Sequence, residues 1–367
     1  MCTRLLACTS LPTAGARGVA VRRRLISIIV PCYNEEENIL PMYERLTGVF
    51  RTLDGYDFEI LYVDNRSVDD SERVLRGLAA SDKRVKLLFM SRNFGSPQPS
   101  FIAGLEHCRG DAAVLIHGDI QDPPEMIVDF VREWEAGNAV VYGVSRHRQG
   151  FGPFTNTLFK SFYWLLNRMA YIAIPLNASE FSLIDRRAVD ALLRIDEYDY
   201  YVRCLRAYVG FKQKGIEFDR LARERGHSTQ NPMLLFWWAK TIIVNFSLKP
   251  LEWIAQIALL VVFAAFLAIV GFLVFYVFDP DSPRGIPTLF VLMLFLGGIQ
   301  LLALSVIAEY LAKIFLEVKR RPRYILDETV NLDRRRSARP DATARGDRDA
   351  PIGAAPVRDA APGPALD

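Results

Sequence analysis

Residues 254–278, IAQIALLVVFAAFLAIVGFLVFYVF, contain no charged side chain. Crossing a bilayer takes about 20 predominantly apolar residues, so this run is long enough to span one. A short loop, DPDSPRGIP, separates it from a second apolar run, LFVLMLFLGGIQLLALSVIA (289–308). Two such runs in succession fit the interior of a soluble domain poorly. They point to a pair of transmembrane helices over 253–312 and leave the preceding chain to form a separate soluble domain. Lys240 and Lys249 stand before this hairpin and Lys313, Lys319, Arg320, Arg321 and Arg323 after it, whereas the connecting loop carries only Arg284. An excess of Lys and Arg marks the cytoplasmic side, so both ends are expected in the cytoplasm of a multi-pass inner-membrane protein. Before the hairpin, PMLLFWWAKTIIVNFSLKPLEW mixes tryptophans and spaced lysines with aliphatic residues. That pattern suits amphipathic helices lying in the membrane interface, expected over 231–252.

The ends of the chain carry less information. Residues 1–24 combine early arginine with a weak apolar stretch followed by VRRRL, a poor h-region for a signal peptide, so a disordered leader is expected. A basic cytoplasmic segment is expected over 313–330. The arginine-, alanine- and proline-rich stretch 331–367 lacks periodicity and reads as a disordered tail. Net charge is only +3, which argues against nucleic acid as a partner. Five cysteines are scattered without a CxxC pair, as expected of thiols in a reducing compartment.

Between 25 and 230 the pattern is regular. ISIIVP (26–31), FEILYVD (58–64), VKLLFMS (85–91), AAVLIHGD (112–119) and AVVYGVSR (139–146) are apolar runs suited to strands buried on both faces. Helical patterns alternate with them, including NEEENILPMYERLTGVF, DDSERVLRGLAA, FIAGLEHC and PPEMIVDFVREWEAG. This alternation predicts an α/β domain built on a mainly parallel sheet. Residues 151–228 are aromatic-rich and less regular. In parallel sheets ligands sit beyond the carboxyl ends of the strands. There the chain places NEE after the first run, DNRS after the second, SRNFG after the third and HGDIQD after the fourth.

Those four polar knots suit a nucleotide diphosphate. Asp64, and Glu35 or Glu36, could accept hydrogen bonds from a base or ribose. A diphosphate leaving group gains charge as its bond breaks, which calls for a divalent cation. Asp119 and Gln121, two residues apart, offer hard oxygen ligands suited to Mg2+ or Mn2+. Asp122 would point away and cap the next helix. His117 could contact the donor, ligate a metal or only fill space.

The segments SIIVPCYNEEENI, YVDNRSVDDS, SRNFGS, AGLEHCRGDAAVLIHGDIQDPPEMI, VVYGVSR, LIDRRAVDALL and EYLAKIFLEVKRRPRYI together resemble glycosyltransferase family 2. Within it the likeness is to polyprenyl-phosphate glycosyltransferases, which include dolichol-phosphate mannose synthases and bacterial undecaprenyl-phosphate sugar transferases with a two-helix anchor. The resemblance runs from about residue 26 to 325. It implies a GT-A (Rossmann-like) catalytic domain and inverting transfer of a sugar from a nucleotide-sugar donor to a polyprenyl-phosphate lipid. It also implies that Pro31, Tyr33 and Glu35 form the base-binding first loop, and that Asp64 is the second-strand aspartate. Asp119 matches the second acid of the family's D-x-D and Gln121 the glutamine that joins it at the metal. Arg146 falls where an arginine faces the acceptor phosphate, with Arg148 beside it; Arg223, Arg225 and Ser228 fall on a mobile acceptor loop. Glu180 stands where the family has an acid near the reaction centre. Members of this group can associate through their anchors, so a homo-oligomer is compatible with the resemblance.

The chain departs from the family pattern at several of these places. His117 replaces the first acid of D-x-D, and Asn65-Arg66 replace the usual Asp-Gly after Asp64. Ser96-Pro97-Gln98-Pro99 replace a lysine-containing turn. Glu180 and Ser182 stand where Asp and Arg are usual, and Thr229 replaces a lysine. These exchanges motivate a rival expectation, a catalytically weak relative that binds nucleotide sugar or lipid as a partner subunit. A polymer-extruding synthase is disfavoured, because one short hairpin is too little to build a channel and no QxxRW-like segment is present.

Overall fold

The computed structural model describes residues 23–145, 178–219, 244, 247–278 and 285–332. The aliphatic runs form strands β1 (Arg24–Cys32), β2 (Tyr56–Asp64), β3 (Val85–Met90), β4 (Ala112–Leu115) and β5 (Val140–Ser145). Three further strands, β6 (Ala178–Asp185), β7 (Gln213–Phe218) and β8 (Leu326–Val330), complete an eight-stranded sheet in the order β7-β5-β6-β4-β1-β2-β3-β8. The pairings of β1 with β2 and β4, of β2 with β3 and of β5 with β7 are parallel. Strand β6 runs antiparallel between β4 and β5, and β8 antiparallel to β3.

Helices α1 (Glu36–Thr52), α2 (Ser71–Ser81) and α4 (Ile127–Glu135) cover one face of the sheet. Ile39, Met42, Leu46, Leu75, Ile127 and Phe130 join Ile26, Ile28 and Val30 of β1 in one core there. Helix α3 (Gln98–His107) packs on the other face so closely that a Cβ on Gly104 would lie 2.2 Å from Ile29 Cγ2. Pro41 sits inside α1, where it costs about 3 kcal/mol. Complete burial of Ile39, Met42 and Leu46 on the same helix, at about 1.5–3 kcal/mol each, outweighs it. Two short helices follow β6, α5 (Arg186–Arg194) and α6 (Val202–Tyr208).

Two sequence expectations change here. Strand β4 ends at Leu115 rather than Asp119. The Ile116 N–H still donates to the Ile29 carbonyl at 3.1 Å, but a Cβ on Gly118 would stand 2.9 Å from the Pro31 carbonyl oxygen. The chain therefore crosses over the end of β1 as a loop, and Ile120 takes φ +57. The segment 313–330, expected as a basic stretch, contains the end of a long helix and the edge strand β8.

The apolar runs form helices α7 (Lys249–Phe278) and α8 (Ile286–Lys319). Both contain stretches long and apolar enough to cross a membrane, and those stretches are not buried within the protein. The final turns of α8 and the residues after it are tied to the α/β domain. Lys313 pairs with Asp199, the Tyr198 N–H donates to Glu317 at 2.7 Å, and Arg323 donates to the Ile195 carbonyl at 2.9 Å. Tyr324 donates to Glu106 at 2.6 Å, after which β8 pairs with β3. Nearly all of the expected leader, whose last residue Arg24 opens β1, nearly all of the tail and most of the expected interfacial helices lie outside the described residues.

Candidate active site

Side-chain hydrogen bonds lace together the carboxyl ends of β1 and β2. The Asn34 N–H donates to Ser67 Oγ at 3.0 Å, and Asn34 Oδ1 accepts from the Val68 N–H at 2.9 Å. The Glu35 N–H donates to Ser71 Oγ at 3.1 Å, and the Asp70 N–H to Glu36 at 2.8 Å. Asn34 at φ +54 and Arg66 at φ +62 supply the tight bends. Asp64 is buried and accepts from Ser67 Oγ at 2.5 Å and the Ser67 N–H at 3.1 Å. Burial raises its pKa above the ordinary 3.8, the Ser67 bonds oppose this, and Glu72 and Asp69 reinforce it. Asn65 extends the lacing to the loop after β3. Its Oδ1 accepts from the Phe94 N–H at 3.0 Å and its Nδ2 donates to Asn93 at 3.2 Å.

Of the first-loop residues, Pro31 is buried at the end of β1, Tyr33 is 44% exposed, and Glu35 accepts from Asn38 Nδ2 at 2.5 Å. Tyr33 is thus available to stack on a ligand, whereas part of the Glu35 carboxylate is engaged at the start of α1.

After β4, Asp119 and Gln121 flank the left-handed Ile120, so their placement comes from a turn rather than from strand alternation. A β-branched residue at positive φ is strained, which costs of order 1–3 kcal/mol and clusters at functional sites. Asp119 Oδ1 accepts from the Gln121 N–H at 3.3 Å and closes the turn. Asp122 is fully buried, and neither the short Pro124–Met126 turn nor α4 carries a side-chain cap. The expected capping role for Asp122 therefore does not hold; its charge acts on His117 instead.

His117 Nε2 lies 2.9 Å from Glu180 Oε2, and its ring meets Phe101 edge-on at 5.2 Å. Burial alone would lower its pKa, but the bond to Glu180 and the charges of Glu180, Asp122 and Asp119 raise it to about 9. With Nε2 directed at Glu180, Nδ1 is the nitrogen that a donor group or a metal would meet. Glu180 is bound from two sides, because Gln98 Nε2 donates to Oε1 at 2.5 Å. Burial would raise the Glu180 pKa, but His117, Arg203 and Gln98 hold it below the ordinary 4.5. Gln98 reaches it from the first turn of α3, and its own Oε1 accepts from the Val202 N–H at 3.1 Å. Gln98 and His117, at two places that depart from the family pattern, thus both touch Glu180, which stands at a third.

A hard cation needs oxygen ligands, and Mg2+ is commonly held by one or two carboxylates together with substrate phosphates. Asp119 and Gln121 supply one carboxylate and one amide oxygen, which fits that minimal set. No cluster of three or more potential acidic, histidine or cysteine ligands occurs among the described residues. Two arginines on α6 had no sequence signal. Arg203 Nη1 donates to the Ala178 carbonyl at 3.3 Å. Arg206 is 1% exposed, donates to the Ser179 carbonyl at 3.1 Å and stacks over Tyr142 at 4.6 Å. Burial lowers its pKa to about 10, so it remains a cation at neutral pH. The acceptor-side candidates Arg146, Arg148, Arg223, Arg225 and Ser228 lie outside the described residues.

Residues 27–193 match the family described as glycosyl transferase family 2. An uncharacterized glycosyltransferase, YkcC of Bacillus subtilis, is 37% identical over 84% of this chain and 95% of its own length. A prophage-derived bactoprenol glucosyl transferase of Shigella flexneri is 34% identical over 83% of this chain and 98% of its own. Among solved structures, a mannosyltransferase of Pyrobaculum calidifontis in complex with GDP-Man and Mn2+ aligns at TM-score 0.39 with 14% identity. That alignment covers 82% of this chain and 87% of the other.

Proposed function

The chain belongs to glycosyl transferase family 2 and is a glycosyltransferase, and from that premise we propose that it loads a sugar onto a polyprenyl phosphate. The donor is a nucleotide-diphosphate sugar, the acceptor an undecaprenyl-type phosphate, and the site faces the cytoplasmic side of the inner membrane. The product is a lipid-linked sugar for cell-envelope glycan or glycolipid modification. One observation carries this reading. The hydrogen-bonded strand ends around Asp64, Asp119 and Glu180 belong to a chain that continues into two helices long enough to cross a bilayer. A relative named for glucosyl transfer to bactoprenol supports the lipid acceptor.

The loops after β1 and β2 receive the nucleotide, with Asp64 accepting from base or ribose and Tyr33 against the ring. Asp119 and Gln121 would hold Mg2+ or Mn2+, which would supply charge neutralisation at the departing diphosphate. A phosphate monoester has a second pKa of about 6, so the acceptor oxygen is already anionic. Its lone pair forms the new bond to the anomeric carbon while the diphosphate leaves with the old bonding pair, and attack from the opposite face inverts the centre. No side chain has to remove a proton. Arg146 and Arg148, with Arg223, Arg225 and Ser228, are the proposed acceptor-phosphate contacts.

Full-length protein in nanodiscs, given undecaprenyl phosphate, Mg2+ or Mn2+ and a panel of UDP-, GDP- and dTDP-sugars, should form one lipid-linked sugar. Tight nucleotide binding without transfer from any donor would refute the reading.

A further inference from the structure

The sugar end of the site is built around Glu180, and nothing in the transfer chemistry above gives that residue a proton to take. It stands on β6 between two donors, Gln98 on Oε1 at 2.5 Å and His117 on Oε2 at 2.9 Å. An ionised carboxylate accepts only, through about four lone-pair positions, so two remain after these contacts. The Glu180 side chain is 14% exposed, which leaves an open edge. What can meet an acceptor-only group at that edge is a donor, and sugar hydroxyls are donors. Gln98 in turn cannot swing freely. Its Oε1 is held by the backbone of α6 at Val202, and its side chain is 5% exposed as a residue. Segments far apart in sequence thus fix a single carboxylate orientation.

We propose that Glu180 reads the hydroxyls of the donor sugar and that Gln98 is its positioning residue. This rests on the transfer reaction proposed above. It gives the substrate class as a hexose whose hydroxyls donate to a fixed anion. Glu180 touches substrate; Gln98 acts only through Glu180. A hydrogen bond to a charged group is worth about 1.5–3 kcal/mol, so a donor lacking the hydroxyl that Glu180 reads should be used about ten- to a hundredfold less well.

The test uses full-length enzyme in nanodiscs with undecaprenyl phosphate, the hexose donor chosen by the panel, starting with UDP-glucose, and its mono-deoxy analogues. The wild type should discriminate against at least one deoxy donor by about tenfold or more in kcat/KM. Gln98→Leu and Glu180→Gln should each shrink that ratio severalfold, with KM for undecaprenyl phosphate and affinity for the free nucleotide unchanged within about twofold. Gln98→Asn, with a shorter amide, should fall between. If Gln98→Leu does not fold, Gln98→Asn and Glu180→Gln carry the same readout. A ratio near one in the wild type, an unchanged ratio in the variants, or equal loss of free-nucleotide binding would overturn the proposal. A wild type that transfers no sugar would instead overturn the proposed function.

Discussion

Asp64 and Glu180 are both largely buried carboxylates at the carboxyl edge of one sheet, and their acidities shift in opposite directions. Asp64 is met by the neutral Ser67 and by other acids, so burial prevails and its pKa rises. Glu180 is met by His117, Arg203 and Gln98, which overcome burial and lower it. The proposed nucleotide end is a web of short side chains, Asn34, Ser67 and Ser71, bonded to backbone a turn or a strand away. The proposed sugar end gathers Gln98, His117, Glu180 and Arg203, longer side chains from four separate segments. One end is a hydrogen-bonded cradle in which burial and neighbouring acids act together on Asp64; the other balances a buried Glu180 against His117 and Arg203.

That contrast can be broken most severely at Asp119. Asp119→Asn should lower kcat by about 10²–10³, the scale seen when a group stabilising developing charge is removed. Free-nucleotide affinity measured by calorimetry in EDTA should stay near wild type. A parallel collapse of nucleotide binding would show that the two ends are not separable.

His117→Ala leaves the Glu180 carboxylate without its cation. Removing one partner of a buried pair costs 3–5 kcal/mol, and with His117 at 23% side-chain exposure the loss should lie near about 3 kcal/mol. The double variant His117→Phe with Glu180→Met should unfold at higher denaturant than His117→Ala. The reverse ranking would mean that the charges are not balanced against each other.

Asn65→Ala removes both links between the loops after β2 and β3, each worth about 0.5–1.5 kcal/mol. The effect should appear as weaker binding of free nucleotide, about tenfold, with kcat nearly unchanged. A change confined to kcat would blur the division between the two ends.

Acid unfolding should separate the two carboxylates by sign. Glu180 is depressed when folded, so its stabilising contribution is present above the ordinary 4.5 and is lost as pH falls through the lower folded value. Asp64 is raised, so its ionisation opposes folding at neutral pH, and this cost is relieved as pH falls towards 3.8. Glu180→Gln should therefore flatten the loss of stability with acid, and Asp64→Asn should steepen it. Identical slopes for the two variants would contradict the opposite shifts.

The smallest change is expected at the exposed pair of Arg66 and Asp327, 3.2 Å apart. Asp327→Asn should move the unfolding free energy by less than about 1 kcal/mol, because backbone pairing with β3 holds β8 in place. A larger loss would make the ion pair part of the nucleotide end.

The parallel half of the sheet was legible because β1, β2 and β3 are continuous aliphatic runs, each ending in a polar knot. The hairpin was legible from composition alone. Strand β8 was not: LDETV is short, with two acids among five residues, and its pairing depends on a partner strand far back in the chain. The end of β4 was misplaced because the aliphatic run of AAVLIHGD continues past Leu115 to Ile116, whereas the crossing at Gly118 is set by the neighbouring β1. Within the site, Asp64, Asp119 and Gln121 could be singled out as sequence motifs. Gln98, Arg203 and Arg206 could not, since a glutamine beside two prolines or an arginine on a short helix has no pattern of its own. Their roles arise from contacts across 82, 25 and 27 residues of sequence.

Strand β8 also sets an order of assembly. A chain made from its N-terminus exposes the outer edge of β3 until residues 326–330 emerge, after both apolar helices. Unpaired sheet edges invite pairing with other chains, and domains tend to fold as they are synthesised. The last strand of the sheet is therefore laid down only after both apolar helices have been made, so in the proposed membrane arrangement completion of the sheet would follow insertion of the hairpin.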